Sequence, residues 1–200
     1  MKINEITTNT TQKDLDWIER HCGPYLQEIG GIDNALIHYP MYRGSDDVFH
    51  PHSSILRVTV RQNRRPRSTG VDDHEQADGW FIETFGIPYR SASLFCTGNV
   101  DTAAAYARYY SVGNTAIVLP IGEYHYCWSP HVQDLFMGFR GQFDEFPSIV
   151  DFLDHTDYYE DTRLINAIAS HNEIMLHCKD AALVKRSFVD DLLLQRLGQK

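Results

Sequence analysis

The chain is predicted to fold as a single α+β domain, on three observations. Apolar residues alternate cleanly through "SILRVTVR", with Leu56, Val58 and Val60 on one face and Arg57, Thr59 and Arg61 on the other, the pattern of a half-buried strand. Other stretches carry apolar residues at helical spacing, and helices and strands follow one another irregularly, which disfavours a doubly wound parallel sheet. No repeat, low-complexity tract or Gly/Ser linker divides the 200 residues, so one domain is expected over 1–200, with an N-terminal helix over about 11–29 and the main core over about 35–200.

Composition narrows the class. Hydrophobic residues make up 42% of the chain, enough for a sizeable core and unlike a disordered segment. The formal net charge of −9 repels nucleic acid and anionic membranes except where a local basic patch reverses it. One such patch is Arg57, Arg61, Arg64, Arg65 and Arg67. Cys22, Cys96, Cys127 and Cys178 are scattered, without a C-x-x-C pair, which argues against a zinc ribbon or a disulfide framework. The N-terminal stretch "MKINEITTNTTQKDLDW" has no signal-peptide core and no apolar run is long enough to span a membrane, so a reduced, cytoplasmic location is expected.

Taken in order, "TTQKDLDWIERHCGPYLQEIGG" places Leu15, Ile18, Cys22, Leu26 and Ile29 at helical spacing, with a kink expected at Gly23-Pro24 and an end at Gly30-Gly31. "ALIHYPMYRG" reads as extended. After the strand at 54–61, "QNRRPRSTGVDDHEQADG" reads as loop, and "DGWFIETFGIPYRSASLFCTG" as a short helix followed by a strand near "SLFCT". "NVDTAAAYARYY" is a helix that Asp101 and Thr102 can cap, and "TAIVLP" a compact strand. "FPSIVDFLDHTDYYEDTRLINAIAS" reads as mostly helical, "EIMLHC" as a strand, and "AALVKRSFVDDLLLQRL" as a terminal helix.

Three stretches stand apart: "MYRG" at 41–44, "SLFCTGNVDTAAAYA" at 93–107 and "NEIML" at 172–176. Each has an ordinary structural explanation by itself. Their order and spacing resemble the arginine–serine–glutamate branch of the mono-ADP-ribosyltransferases, the type of bacterial toxins and phage effectors. In that branch an early strand ends in an arginine, often as Tyr-Arg-Gly. A middle strand carries a Ser-Thr-Ser-like segment before an alanine-rich helix, and a late strand opens on the catalytic glutamate. Arg43, Phe95-Cys96-Thr97-Gly98 and Glu173 match those three places.

The resemblance implies a split, mainly antiparallel sheet around a cleft for NAD as substrate. The activity it implies is transfer of ADP-ribose to a macromolecular acceptor, expected to be a host protein rather than a nucleic acid. Arg43 would grip the pyrophosphate, with Gly44 letting backbone approach it. Glu173 would stabilise the cationic ribose left when nicotinamide departs. Thr97 would fix Glu173, Phe95 and Tyr106 would wall the nicotinamide, and His171 would stand on the acceptor side. Two departures matter. Cys96-Thr97-Gly98 retains only the central hydroxyl of Ser-Thr-Ser, which leaves room for a non-catalytic interaction protein. His171 stands where arginine-modifying members carry Glu or Gln, which leaves the target residue open, and an NAD glycohydrolase is a further alternative.

Other groupings compete. His50 and His52, with Asp72, Asp73, His74 or Glu75, form a candidate metal set, although no metal is expected. Glu123, in "EYHYCWSPHVQD", is a rival carboxylate expected in a loop, and Trp128-Ser129-Pro130 a turn over the site. Cys96 as a nucleophile would need a depressed pKa.

Overall fold

Two long neighbouring strands organise the molecule. The computed structural model describes residues 3–44, 49, 53–66, 70–107 and 115–198, with side chains placed over 11–194 of these. In chain order the elements are α1 (Ile3–His21), α2 (Gly23–Ile29), a π-helical turn (Asn34–His38), β1 (Tyr42–Gly44), β2 (Ile55–Thr59), α3 (Val71–Phe85), β3 (Leu94–Cys96) and α4 (Val100–Tyr106). There follow β4 (Thr115–Trp128), α5 (Leu135–Gly141), α6 (Ile149–Asp154), β5 (Tyr159–Glu160), α7 (Leu164–Ser170), β6 (Ile174–Lys185) and α8 (Arg186–Gly198). Six strands form one sheet in which every pairing among the described residues is antiparallel. The chain is thus a single α+β domain, as its irregular alternation of elements predicts.

Strands β4 and β6 pair along nearly their whole length, interrupted by a register shift between Ile121 and Tyr124. Gly122 supplies the positive φ there, 74°, and the bulge redirects the strand. On one side of the bulge β1 flanks β4 and β2 flanks β6; on the other β5 flanks β4 and β3 flanks β6. The two halves are tied across the bend by a bridge in which Tyr42 and Thr97 exchange both backbone hydrogen bonds, at 2.7 and 2.9 Å. Tyr42 lies opposite Ile117, whereas Cys96, beside Thr97, reaches Trp128 across Ile174. In a straight strand Ile117 and Trp128 would be roughly 36 Å apart. The bridge therefore requires the ladder to fold back on itself, and a cleft opens in that fold.

Side chains leave the ladder alternately to two hydrophobic clusters. Tyr126, Trp128, Ile174 and Leu176 join Ile18, Tyr25 and Ile29 of the N-terminal helices. Cys127 and Met175 join Phe81 of α3, Leu135 of α5 and Phe152 of α6 on the other side. Both Tyr124 and Tyr126 donate hydroxyl hydrogens to Glu28, fastening α2 to the sheet.

Several elements differ from expectation. The first helix begins at Ile3 rather than near residue 11, whereas the break at Gly23-Pro24 and the end at Gly30 fall where expected, with α2 between them. "ALIHY" holds a π-helical turn, and the extended part is confined to Tyr42–Gly44. The polar stretch at 71–79 is the first half of α3, whose buried face, His74, Ala77 and Phe81, has helical spacing hidden by acidic residues and Gly79. "TAIVLP" continues through Pro120 and the bulge into fourteen residues of strand, placing Glu123 on a strand. Residues 155–163 include the short β5 instead of helix. "AALVK" belongs to β6; flanked by β2 and β4, it is buried on both faces, and a continuous apolar run of that length does not distinguish strand from buried helix. The cap of α4 is Asn99, which accepts from the amides of Asp101 and Thr102, both at 2.9 Å.

Gly98 lies where no side chain fits: a Cβ there would sit 1.8 Å from the Ile168 carbonyl oxygen of α7. Gly98→Ala should cost at least about 2 kcal/mol, a fall in Tm of roughly 4–8 °C for a chain of this size. Gly79→Ala, with nothing within 4 Å of its Cβ in α3, should instead stabilise by about 0.5–1 kcal/mol. Melting curves for the pair check the packing, and a Gly98→Ala protein as stable as the parent would contradict it.

Candidate active site

A cleft of about 1190 Å³ opens between the two halves of the sheet. Its floor comes from β1, β3 and the entry to β6, and its walls from the segment after β2, from α4 and from α5. Arg43, Gly44, Phe95, Thr97, Tyr106 and Glu173 all line it, so the three stretches singled out in the sequence meet here.

Glu173 immediately precedes β6, and its amide donates to the Gln133 carbonyl at 2.9 Å. The Asn172 side chain donates to the Ser129 carbonyl at 2.8 Å, so the turn after Trp128 is strapped to the glutamate's approach. The carboxylate accepts from Arg90 Nη1 at 2.7 Å, with both side chains nearly buried. Burial pushes the Glu173 carboxyl above its ordinary value and nearby Asp134 pushes the same way, while Arg90 and Arg64 oppose both. A carboxyl held this way is a functional-site candidate.

Arg90 is the residue the sequence reading missed. Asp78 of α3 accepts from its amide at 2.8 Å and from that of Ser91 at 3.2 Å, fixing the backbone. Its guanidinium packs against Phe95 and Phe136, 4.3 and 5.5 Å from the ring centroids, and reaches Met175 Sδ at 3.7 Å. Its Nε is buried and has no hydrogen-bond partner among the described residues. The available signal was an arginine in "IPYRSASLFC", a stretch of apolar and small residues where a charge needs a partner.

Several expected roles change. Phe95 has Arg64 Cζ 4.0 Å from its centroid and Arg90 at 4.3 Å. Two guanidiniums therefore pack against this one ring. Thr97 Oγ1 donates to the His171 carbonyl at 2.8 Å and accepts from the Asn99 amide at 3.2 Å, so it anchors the loop before Glu173 and does not touch the carboxylate. Gly44 is needed because a Cβ would lie 2.4 Å from the Ala103 carbonyl oxygen of α4, a helix-packing reason separate from any ligand. His171 is an exposed, left-handed C-cap of α7 (φ 63°) outside the cleft lining. Tyr106 does stand in the wall, donating to Asp134 Oδ2 at 2.6 Å. Beyond that bond lies a second hollow of about 780 Å³, which shares Tyr106, Gln133 and Asp134 with the cleft.

Glu123 is exposed at the bulge and outside the cleft lining. His50 and His52 lie outside the described residues, Asp72, Asp73, His74 and Glu75 sit on α3, and no group of three or more potential metal ligands occurs among the described residues. All four cysteines are buried thiols, and burial raises Cys96 to about 12, which rules it out as a nucleophile. No described helix is long and apolar enough to cross a membrane. Comparison with protein-family models, curated proteins and solved structures finds no match.

The Arg90 charge favours ionised Glu173, so its removal should raise the carboxyl pKa further. Titration of Glu173 by carboxyl-selective ¹³C NMR should give a midpoint above the ordinary 4.5 in the native protein and a higher one in Arg90→Met. An unchanged midpoint would show that the pair does not control ionisation.

Proposed function

We propose that the cleft binds NAD and transfers ADP-ribose to a macromolecular acceptor, releasing nicotinamide. The observation that carries this reading is Glu173, a nearly buried carboxylate held 2.7 Å from an arginine, in a cleft that Arg43 also lines. Arg43 comes from β1 and Glu173 from the entry to β6, so their meeting depends on the folded-back ladder.

In the proposed reaction the bond between ribose C1′ and the nicotinamide nitrogen breaks, and its electron pair neutralises the pyridinium as nicotinamide leaves. Positive charge develops on the ribose, and an ionised Glu173 stabilises it more than it stabilises the ground state. The acceptor atom then bonds to C1′ and gives up a proton. Arg43 supplies forked donors for the pyrophosphate, its Nη1 already poised 3.5 Å from the Phe95 carbonyl. Arg90 opposes the desolvation of Glu173 and so keeps the anion available. The small-residue helix α4 brings Tyr106 to the wall, where its hydroxyl is committed to Asp134.

A second reading has its own support. Glu173 is already engaged by Arg90, and Phe95 already carries two guanidiniums within 4.3 Å of its centroid, as in a cleft that binds without turnover.

Incubating purified protein with labelled NAD and a bacterial lysate separates these readings. The native protein should release nicotinamide and label a macromolecule, and Glu173→Gln should lower both by roughly 10²–10³-fold, the scale of one lost electrostatic contact to the transition state. Release without label would mean hydrolysis of NAD. Full transfer by Glu173→Gln would remove Glu173 from the chemistry, and NAD binding without release would favour the non-catalytic reading.

A further inference from the structure

The cleft holds more positive charge than a dinucleotide uses. The chain has thirteen arginines and five lysines, and six of the arginines but none of the lysines line this cleft: Arg43, Arg61, Arg64, Arg65, Arg90 and Arg140. Among the described lining residues the acids are Glu173 and Asp134, so the arginines outnumber them by four in a molecule whose net charge is −9. His74, also in the lining, adds no charge near neutral pH, since burial lowers its pKa. Field lines from such a cluster are focused between low-dielectric walls, so net repulsion does not set the local potential.

The arginines are arranged in depth. Arg43 and Arg90 lie inside, where a pyrophosphate with two negative charges would meet them. Arg61 and Arg65 are exposed on the segment leaving β2, Arg64 lies over Phe95, and Arg140 projects from α5. These four, with Arg61, Arg65 and Arg140 exposed and Arg64 half-buried on Phe95, form a rim that a single NAD molecule does not match in charge. The exclusive use of arginine fits phosphate, because the planar fork binds two phosphate oxygens at once and its face stacks on rings. Flat groups share the lining with the charges: Tyr106 is 57% exposed at the end of α4, and half-buried Tyr42 lines the cleft with Phe136. A basic groove interleaved with aromatic rings is how proteins hold unstacked bases on a phosphate chain.

We propose that the rim formed by Arg61, Arg64, Arg65 and Arg140 binds the phosphates of a single-stranded nucleic acid and presents an unpaired nucleotide towards Glu173. Binding at the rim needs only these residues. That the bound strand is also the acceptor of ADP-ribose rests on the transfer reading above.

The test is fluorescence anisotropy of labelled 12-nucleotide RNA and DNA single strands with the full chain, without NAD, over a salt series. Binding of either strand is expected, with log K falling by about 0.7 per log unit of salt for each phosphate neutralised. Arg61→Ala/Arg65→Ala, at two exposed positions, should reduce that slope by roughly 1.4 and weaken binding at least about tenfold at low salt, with an unchanged melting curve. The two strands distinguish RNA from DNA as the preferred partner. No anisotropy change at low salt would overturn the inference, as would binding that the double variant leaves intact. Equal competition by an acidic or phosphorylated peptide would overturn it in favour of a protein partner. Nicotinamide release measured on the same preparations keeps the two readings apart: a strand that binds without release sinks the NAD reading alone, and release without strand binding sinks this one alone.

Discussion

The fold rests on one constraint, the bent ladder of β4 and β6. Both strands are flanked on their outer edges in each half, so the ladder is paired on both sides at its two ends. The bulge beside Gly122 lets that ladder turn, and the backbone bridge between Tyr42 and Thr97 holds the turn closed. Everything in the cleft follows. Arg43 is one residue from the bridge on one strand, Cys96 one residue from it on the other, and Glu173 stands beside Ile174, the partner of Cys96. Three segments spread between Arg43 and Glu173, 130 positions apart in the chain, therefore meet through backbone geometry, before any side chain chooses a partner.

Electrostatics then decides what that meeting can do. A glutamate drawn out of water loses its charge unless something opposes the loss. Arg90 opposes it from a position set by Asp78 and walled by Phe95 and Phe136, so the guanidinium has little freedom to leave. A buried pair of this kind adds little net stability, because desolvating two charges offsets their attraction. Its presence in a cleft is better explained by preorganisation of the carboxylate than by a contribution to folding.

Much of this was legible in the sequence, and the losses have identifiable causes. The alternation in Ile55–Thr59 and the entry of Glu173 into a strand were readable because period and residue type agree there. Helix α3 was not, since Asp72, Asp73 and Glu75 make its first turns look like solvated loop, although acids suit a helix N-terminus. The far half of β4 was obscured by Pro120 and Gly122, ordinary strand breakers that here accompany a bulge. Arg90 was unreadable as a partner of Glu173 because 83 residues separate them and only the tertiary fold joins them. The glycines of "YRG" and "FCTG" were visible, but their reasons, the backbones of α4 and α7 pressing close, belong to packing.

The stack of Arg64, Phe95 and Arg90 has a consequence of its own. Positive charge on Arg64 favours the ionised form of Glu173, although the direct contact to the carboxylate is made by Arg90. An anion settling on Arg64 cancels part of that influence, and Glu173 must then take up a proton more readily. Linkage runs both ways, so a protonated Glu173 holds that anion more tightly than an ionised one. Filling the outer cleft and charging the carboxylate are therefore opposed steps of one equilibrium, and acidification will tighten the grip at the rim as it discharges the glutamate beneath it.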